Sequence, residues 1–378
     1  MVKNMKRRKL LALLLAIAMV FVFTACTSDG NAPAEEPPAQ QEEGTAADDT
    51  AATESDEEIV IGYFALTMVS QWLQNVNKAL TDLGKEKGFK VVNADADFDG
   101  EKQMSQLDTQ INAGLDGAVV FIADEGMGTA VAEKCQQAGV PLIGESLRVA
   151  DADNNLLAPV VELDAHAVGS NGAEWLIENI KEEGFNPDDF SKTGYIALTN
   201  SNQVSTTIRI EGFEDTFFGE YKDFPDANKF VSDVAAEATS SDDTDATFKL
   251  VSAILGAHPD IENWIMFSGY DDLAIGACRA DEQAKLQDKT CLIDCGGERG
   301  IPEWEAGNAP EWRACVYYNA MEFAEPIVDA MLAMIKDGKS AEDVFADQKE
   351  DGQKFASYKI SGTVVTPETY KDIYLPGY

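Results

Sequence analysis

Gly194-Tyr-Ile-Ala-Leu-Thr-Asn-Ser-Asn-Gln-Val-Ser-Thr-Thr-Ile-Arg-Ile-Glu-Gly-Phe-Glu-Asp-Thr-Phe-Phe218 is the stretch whose reading decides the fold. Tyr195–Thr199 is a short apolar run, partly β-branched, and reads as a buried strand. Asn200–Thr207 follows as a polar loop rich in side-chain amides and hydroxyls. Arg209 then stands near the start of a helical pattern that places Ile208, Phe213 and Phe217 on its buried side. In open α/β sheets, ligands bind just past the carboxyl ends of strands. A row of neutral donors and acceptors ending in one arginine, at that place, suits a neutral polyhydroxylated ligand better than a phosphate.

Outward from this stretch, strand and helix patterns alternate. Strands are predicted over 58–64, 89–92, 117–122 and 140–143, with helices over 72–84, 103–114 and 129–137 between and after them. Past a crossover near 160–164 the alternation resumes, with helices over 165–183, 207–220, 245–257 and 271–283 and strands over 195–199, 229–234, 263–267 and 290–294. Short strands separated by helices of 10–15 residues mean βαβ units and a parallel sheet.

The 378 residues suffice for two packed domains, and 45% apolar content supports real cores. The formal charge is −38; without the first 25 residues, 24 Lys and Arg face 67 Asp and Glu, or −43. Such an acidic surface argues against nucleic acid and against direct contact with anionic lipid. Two histidines leave little room for a His-based metal site or catalytic relay.

Residues 1–25 read as a secretory signal: Lys3, Lys6, Arg7, Arg8 and Lys9, then the apolar Leu10–Phe23. Phe23-Thr-Ala-Cys26 resembles a bacterial lipobox, with Phe in place of the usual Leu, which implies a diacylglyceryl group on Cys26. Two acyl chains are what stable anchoring needs. Residues 26–57 hold ten acids, no basic residue and no large apolar one beyond Cys26, and read as a disordered tether. The expected location is the extracytoplasmic face of the cell membrane.

The order and spacing of Ile61-Gly-Tyr-Phe64, Trp72, Asp99-Gly-Glu-Lys-Gln103, Gly117-Ala-Val-Val120, Gly139-Val-Pro141, Ala197-Leu-Thr199, Arg209, His258-Pro-Asp-Ile-Glu-Asn-Trp264 and Asp271 resemble a known family. It is the type I solute-binding proteins of ABC importers, of the arabinose-, ribose- and galactose-binding kind. The resemblance spans nearly all of 58–378, and its His258–Asp271 segment leans toward arabinose-binding members. It implies an α/β fold of two Rossmann-like lobes with parallel sheets joined by a three-strand hinge, closing on a sugar. The lobes are expected at 58–162 plus 319–358 and at 163–318 plus 359–378, with crossovers near Glu162–Asp164, Tyr318–Asn319 and Tyr358–Gly362.

By the same resemblance, Trp72 stacks on the sugar and Arg209 donates to its hydroxyls or ring oxygen. Against these stand a core-anchoring Trp72 and an Arg209 paired with Glu211 or Asp215. Gln203 and Ser205 are supporting contacts. Glu145 and Ser146 fall where the family usually places an Asp, and Arg148 lies close by. Tyr270 and Asp271 end one strand and Asp294 the next; Tyr270 replaces a hydrogen-bonding Asn, and Gly296 stands where arabinose-binding relatives offer an Asn. Leu66 and Ser70 stand where those relatives place charged contacts, so arabinose itself does not follow.

Two other motifs carry less. Asp95-Ala-Asp-Phe-Asp-Gly100 opens like an EF-hand loop, but the twelfth position is Gln106 and the favoured reading is a loop that caps the next helix. Gly126-Met-Gly-Thr-Ala-Val131 lacks the third glycine of a dinucleotide fingerprint, and Asp124 and Glu125 repel a pyrophosphate. Five cysteines remain after Cys26, and Cys291 and Cys295 in one strand lie roughly 13 Å apart, too far to bridge.

The expected function is capture of a monosaccharide or small glycoside for an ABC permease, by a monomer with no cofactor, metal or catalysis. A receptor of the same fold reporting to a membrane signalling protein is the alternative. An enzyme on a Rossmann-like fold lacks a nucleophile–base pair: His166 falls at the crossover and His258 in a His-Pro turn.

Overall fold

Apolar runs of four to seven residues become strands wherever both faces of a sheet must be covered. The computed structural model describes residues 58–236 and 242–378; the leader, Cys26 and the acidic tether lie outside the described residues. The first sheet holds β1 (Val60–Ala65), β2 (Lys90–Asp95), β3 (Gly117–Val120), β4 (Leu142–Glu145), β5 (Val160–Leu163) and β11 (Ser357–Ile360). Their order is β11-β5-β4-β3-β1-β2, all parallel. The second holds β6 (Thr193–Thr199), β7 (Lys229–Asp233), β8 (Asn263–Ser268), β9 (Thr290–Gly296), β10 (Trp312–Tyr317) and β12 (Thr363–Val365). Its order is β12-β10-β9-β8-β6-β7, antiparallel only at β12. The chain crosses between the sheets after β5, after β10 and after β11, so two α/β lobes share three connections.

Alternation along the strands sorts their side chains to two faces. In the first lobe Tyr63, Val119, Ile143 and Val161 pack with α1 (Gln71–Lys87) and α9 (Ala320–Asp337). Their neighbours Phe64, Val120 and Leu142 pack with α2 (Gly100–Asn112) and α3 (Gly128–Ala138). In the second lobe Tyr195, Ala197, Phe267 and Ile293 meet α4 (Ala165–Asn179) and α5 (Val204–Glu220). Ile196, Leu198, Met266 and Leu292 meet α6 (Asp243–Ala257) and α7 (Asp271–Ala284). A short α8 (Gly300–Glu305) precedes β10.

Local sequence accounts for several boundaries. Asp99 caps α2 by accepting from Lys102 N at 3.0 Å, so the EF-hand-like run serves the helix end. Gly128 packs against Ala150, whose carbonyl oxygen would lie 2.1 Å from an added Cβ; the partial dinucleotide motif serves close packing. Cys135, Cys278, Cys291, Cys295 and Cys315 are all free and buried. On α5 the buried face carries Ile210, Phe213 and Phe217, while Ile208 is only half-buried. A helical period admits 210, 213 and 217 on one stripe and turns 208 aside.

The closest approach in the second lobe is between α4 and α5. A Cβ on Gly169 would lie 1.9 Å from Arg209 O, and one on Gly212 would lie 2.0 Å from His166 O. Each helix therefore presents a glycine to the other's backbone, which fixes the position of Arg209's own peptide. Helix propensity alone makes Gly169→Ala stabilising by about 1 kcal/mol. The backbone clash reverses that sign: we expect a loss of about 2 kcal/mol, read from urea unfolding. An unchanged or higher midpoint would contradict the contact.

Candidate functional site

Side chains that follow the carboxyl ends of strands in both lobes wall one cavity of about 440 Å³. Trp72 enters it from the start of α1, Phe121 from beyond β3, Ser146 and Leu147 from beyond β4, and Leu163 from the end of β5. Ser205 and Arg209 enter from α5, Tyr270 and Asp271 from the start of α7, and Cys295, Gly296 and Glu298 from the end of β9. Tyr318, at the second crossover, and Phe323 complete the wall. The lobes touch at its rim, where Asn75 Nδ2 donates to Glu298 Oε1 at 3.0 Å.

Arg209 is buried. Its Nη1 donates to Gly269 O at the end of β8, and its guanidinium carbon lies 5.7 Å from the centre of the Tyr318 ring. Its Nε has no partner. Neither Glu211 nor Asp215 pairs with it; Asp215 instead lies 3.3 Å from His166 Nε2. Trp72 is half-buried, and edge-to-face contacts with Phe323 (5.0 Å, 82°) and Tyr318 (5.8 Å, 74°) fix its ring plane.

Asp271, half-buried, and Asp294, fully buried, form an acid pair behind Arg209. Asp271 accepts from the amides of Gly297 at 3.1 Å, Gly300 at 3.2 Å and Arg299 at 3.3 Å. Burial pushes both carboxyls up, and Asp294, with Asp271 alongside, goes well above the usual carboxylate range. Asp294 therefore holds the proton of the pair, while three amides favour the ionised Asp271.

Six of the ten residues singled out in the sequence line the cavity: Trp72, Ser146, Ser205, Arg209, Tyr270 and Asp271. The other four lie outside its wall. Glu145 is fully buried beneath Ser146, accepting from Tyr63 Oη at 3.1 Å and from the Ser146 hydroxyl. Arg148 is drawn away by acids: its Nη2 lies 2.6 Å from Glu162 Oε1 and 3.0 Å from Glu350 Oε1. Gln203 is exposed at the mouth of α5. Asp294 is sealed behind Asp271. Tyr270 lines the wall with its hydroxyl already donating to Asp243 Oδ2. Sequence reading missed Phe121, Leu147, Leu163, Glu298, Tyr318 and Phe323. Phe121 and Leu147 sit just past strand ends and Leu163 closes β5, so all three were reachable by the rule that found Trp72.

A family model described as "Periplasmic binding protein domain" matches residues 61–340. The chain belongs to this periplasmic binding protein family. Two curated relatives are the ABC transporter L-arabinose-binding periplasmic protein of Azospirillum brasilense and the L-arabinose-binding periplasmic protein of Escherichia coli. The first is 21% identical over 76% of this chain and 84% of its own length. The second is 23% identical over 60% and 66%. Among solved structures, an ABC transporter periplasmic solute-binding protein of Actinobacillus succinogenes with bound D-allose superposes at TM-score 0.60. That match has 18% identity and covers 83% of this chain and 100% of the other. Within the periplasmic binding protein fold, a cavity between the lobes at the strand carboxyl ends is where closure gathers groups from both sides.

Titration of the buried acids sets a pH dependence. Burial pushes Glu145 up to about 7, against the hydrogen bonds from Ser146, Tyr63 and Trp72. Burial likewise raises Asp281 and Glu322 to about 7. Between about pH 4.3 and 7 the folded state keeps protons that the unfolded chain has released, so stability falls as pH rises. The melting temperature should therefore drop from pH 5 to pH 8, and Glu145→Gln should flatten that drop by on the order of 2 kcal/mol. Equal slopes for the two proteins would contradict the buried, raised Glu145.

Proposed function

We propose that this chain is an extracytoplasmic receptor that captures a monosaccharide or small glycoside by hinge closure and delivers it to an ABC permease. One observation carries the reading: Trp72 of the first lobe and Arg209 of the second wall the same cavity. A flat indole packs against the C–H face of a sugar ring, and a guanidinium fork donates to hydroxyls or a ring oxygen. Arg209 has an Nε still to be satisfied, and a buried donor without a partner costs about 1–3 kcal/mol. A sugar oxygen at that place removes the cost.

The arabinose-binding names of the curated relatives support a sugar as the cargo. Ser205, Tyr270, Asp271 and Ser146 are further contacts in this reading, and Glu145 and Asp294 act as positioning residues beneath them. The lobes divide at 58–162 plus 319–358 and 163–318 plus 359–378, and their closure pivots at the three connections. The Phe23-Thr-Ala-Cys26 run supports lipid attachment at Cys26, which would hold a monomeric receptor at the outer face of the membrane. Binding without chemistry is the whole of the role.

A thermal-shift screen against pentoses, hexoses, hexuronic acids and disaccharides tests this, since a ligand of the native state alone raises the melting temperature with its concentration. We expect one sugar class to give a shift that Trp72→Ala and Arg209→Ala each abolish. No shift with any sugar would overturn the reading. A shift surviving both substitutions would move the site elsewhere.

A further inference from the structure

The two walls of the cavity differ in kind. The second lobe contributes its polar groups: Ser205, Arg209, Asp271 and Glu298. From the first lobe come Trp72, Phe121, Leu147 and Phe323, joined by Leu163 at the first connection, with Ser146 the one first-lobe residue among them carrying a hydroxyl. That hydroxyl is already spoken for, since it donates to Glu145. Phe121 and Leu147 lie just past β3 and β4 and Leu163 ends β5, three adjacent strands, so the three form an apolar strip on one wall of the cavity. All three are half-buried, packed at their bases against the core and open toward the cavity.

A bare sugar fits this asymmetry poorly. Its hydroxyls radiate around the whole ring edge, and those turned to the strip would leave water with no acceptor or donor to replace it. At about 440 Å³ the cavity also falls in the range of drug-sized ligands, with room beyond one sugar ring. We propose that the cargo is an aryl glycoside. This rests on the sugar-capture reading and deepens it. The glycone lies between Trp72 and Arg209, with its hydroxyls to the second lobe. The planar aglycone lies on the Phe121–Leu147–Leu163 strip, where burying an aromatic ring is favourable and no polar group is stranded.

The test is calorimetric titration of the full-chain protein with three forms each of arabinose, glucose and galactose: free sugar, methyl glycoside and 4-nitrophenyl glycoside. For the sugar that binds, the 4-nitrophenyl form should bind about ten-fold tighter or more than the methyl form. Phe121→Ala and Leu147→Ala should each erase that preference, bringing the 4-nitrophenyl form to within about two-fold of the methyl form in the same variant. Equal affinity of the methyl and aryl forms would overturn this inference and leave sugar capture standing. A preference that persists in both variants would also overturn it. Absence of binding by every sugar and glycoside would overturn both readings.

Discussion

A guanidinium taken out of water is the constraint around which the second lobe is built. Arg209 is buried at the lobe boundary, and an ion there is tolerated only with close polar and aromatic company. Gly269 O at the end of β8 takes one N–H, the Tyr318 ring faces the charge, and the Asp271–Asp294 pair, with one proton between them, lies behind. Each partner comes from a different element: α5 carries the arginine, β8 the carbonyl, the second crossover the tyrosine, and α7 and β9 the acids. The reciprocal glycine contact between α4 and α5 holds the arginine's backbone in register with them. A shift in any one element leaves a buried charge short of a partner.

The first lobe is organised differently. Its cavity wall is apolar, and Glu145, buried near that wall, works inward, accepting from Tyr63 and Ser146. Its charge network lies at the sheet edge instead. Although burial pushes Glu162 up, Arg148, Ser357 and Lys359 hold it down at about 2. Glu162 thereby ties β5 to β11, the strand that follows the long return through α9, and pins the first lobe next to two of its three connections. One lobe thus offers fixed polar groups and the other a shaped apolar surface. Both kinds of wall face one cavity.

Most of the fold was legible because its signals are local. Apolar runs such as Tyr195–Thr199 and Gly117–Val120 are too short for helices and too apolar for surface strands, and both lie in central strands. The strand–helix reading stopped at Asp294, short of β10 and α9. Pro326 sits inside α9, where local rules end a helix. The helix continues because Phe323, Ile327, Met331 and Met334 bury a full apolar stripe in the first core. Tertiary packing outweighs the local penalty.

The site was legible in outline only. Strand-end position and helix phase locate Trp72, Arg209 and Asp271, because sequence order dictates both. Which of Glu145 and Ser146 faces the cavity depends on Ser146 taking a left-handed φ of 59°, a turn that no run of residues announces. Arg148 stands near the cleft in sequence, yet Glu162 on β5 and Glu350, more than two hundred residues away, together set its direction. Tyr318 and Phe323 reach the cavity only through the second crossover, so their roles emerge with the fold.

The proposed function requires one ligand to be held by both lobes at once. Hydrogen exchange of the full-chain protein, with and without the sugar or glycoside giving the largest thermal shift, tests it most directly, because amide protection reports local opening segment by segment. Ligand should slow exchange in residues 66–76 of the first lobe and in residues 200–210 and 268–272 of the second, with the same dependence on ligand concentration. Protection confined to one lobe, or centred on the separate hollow around Arg279 and Glu311, would contradict it.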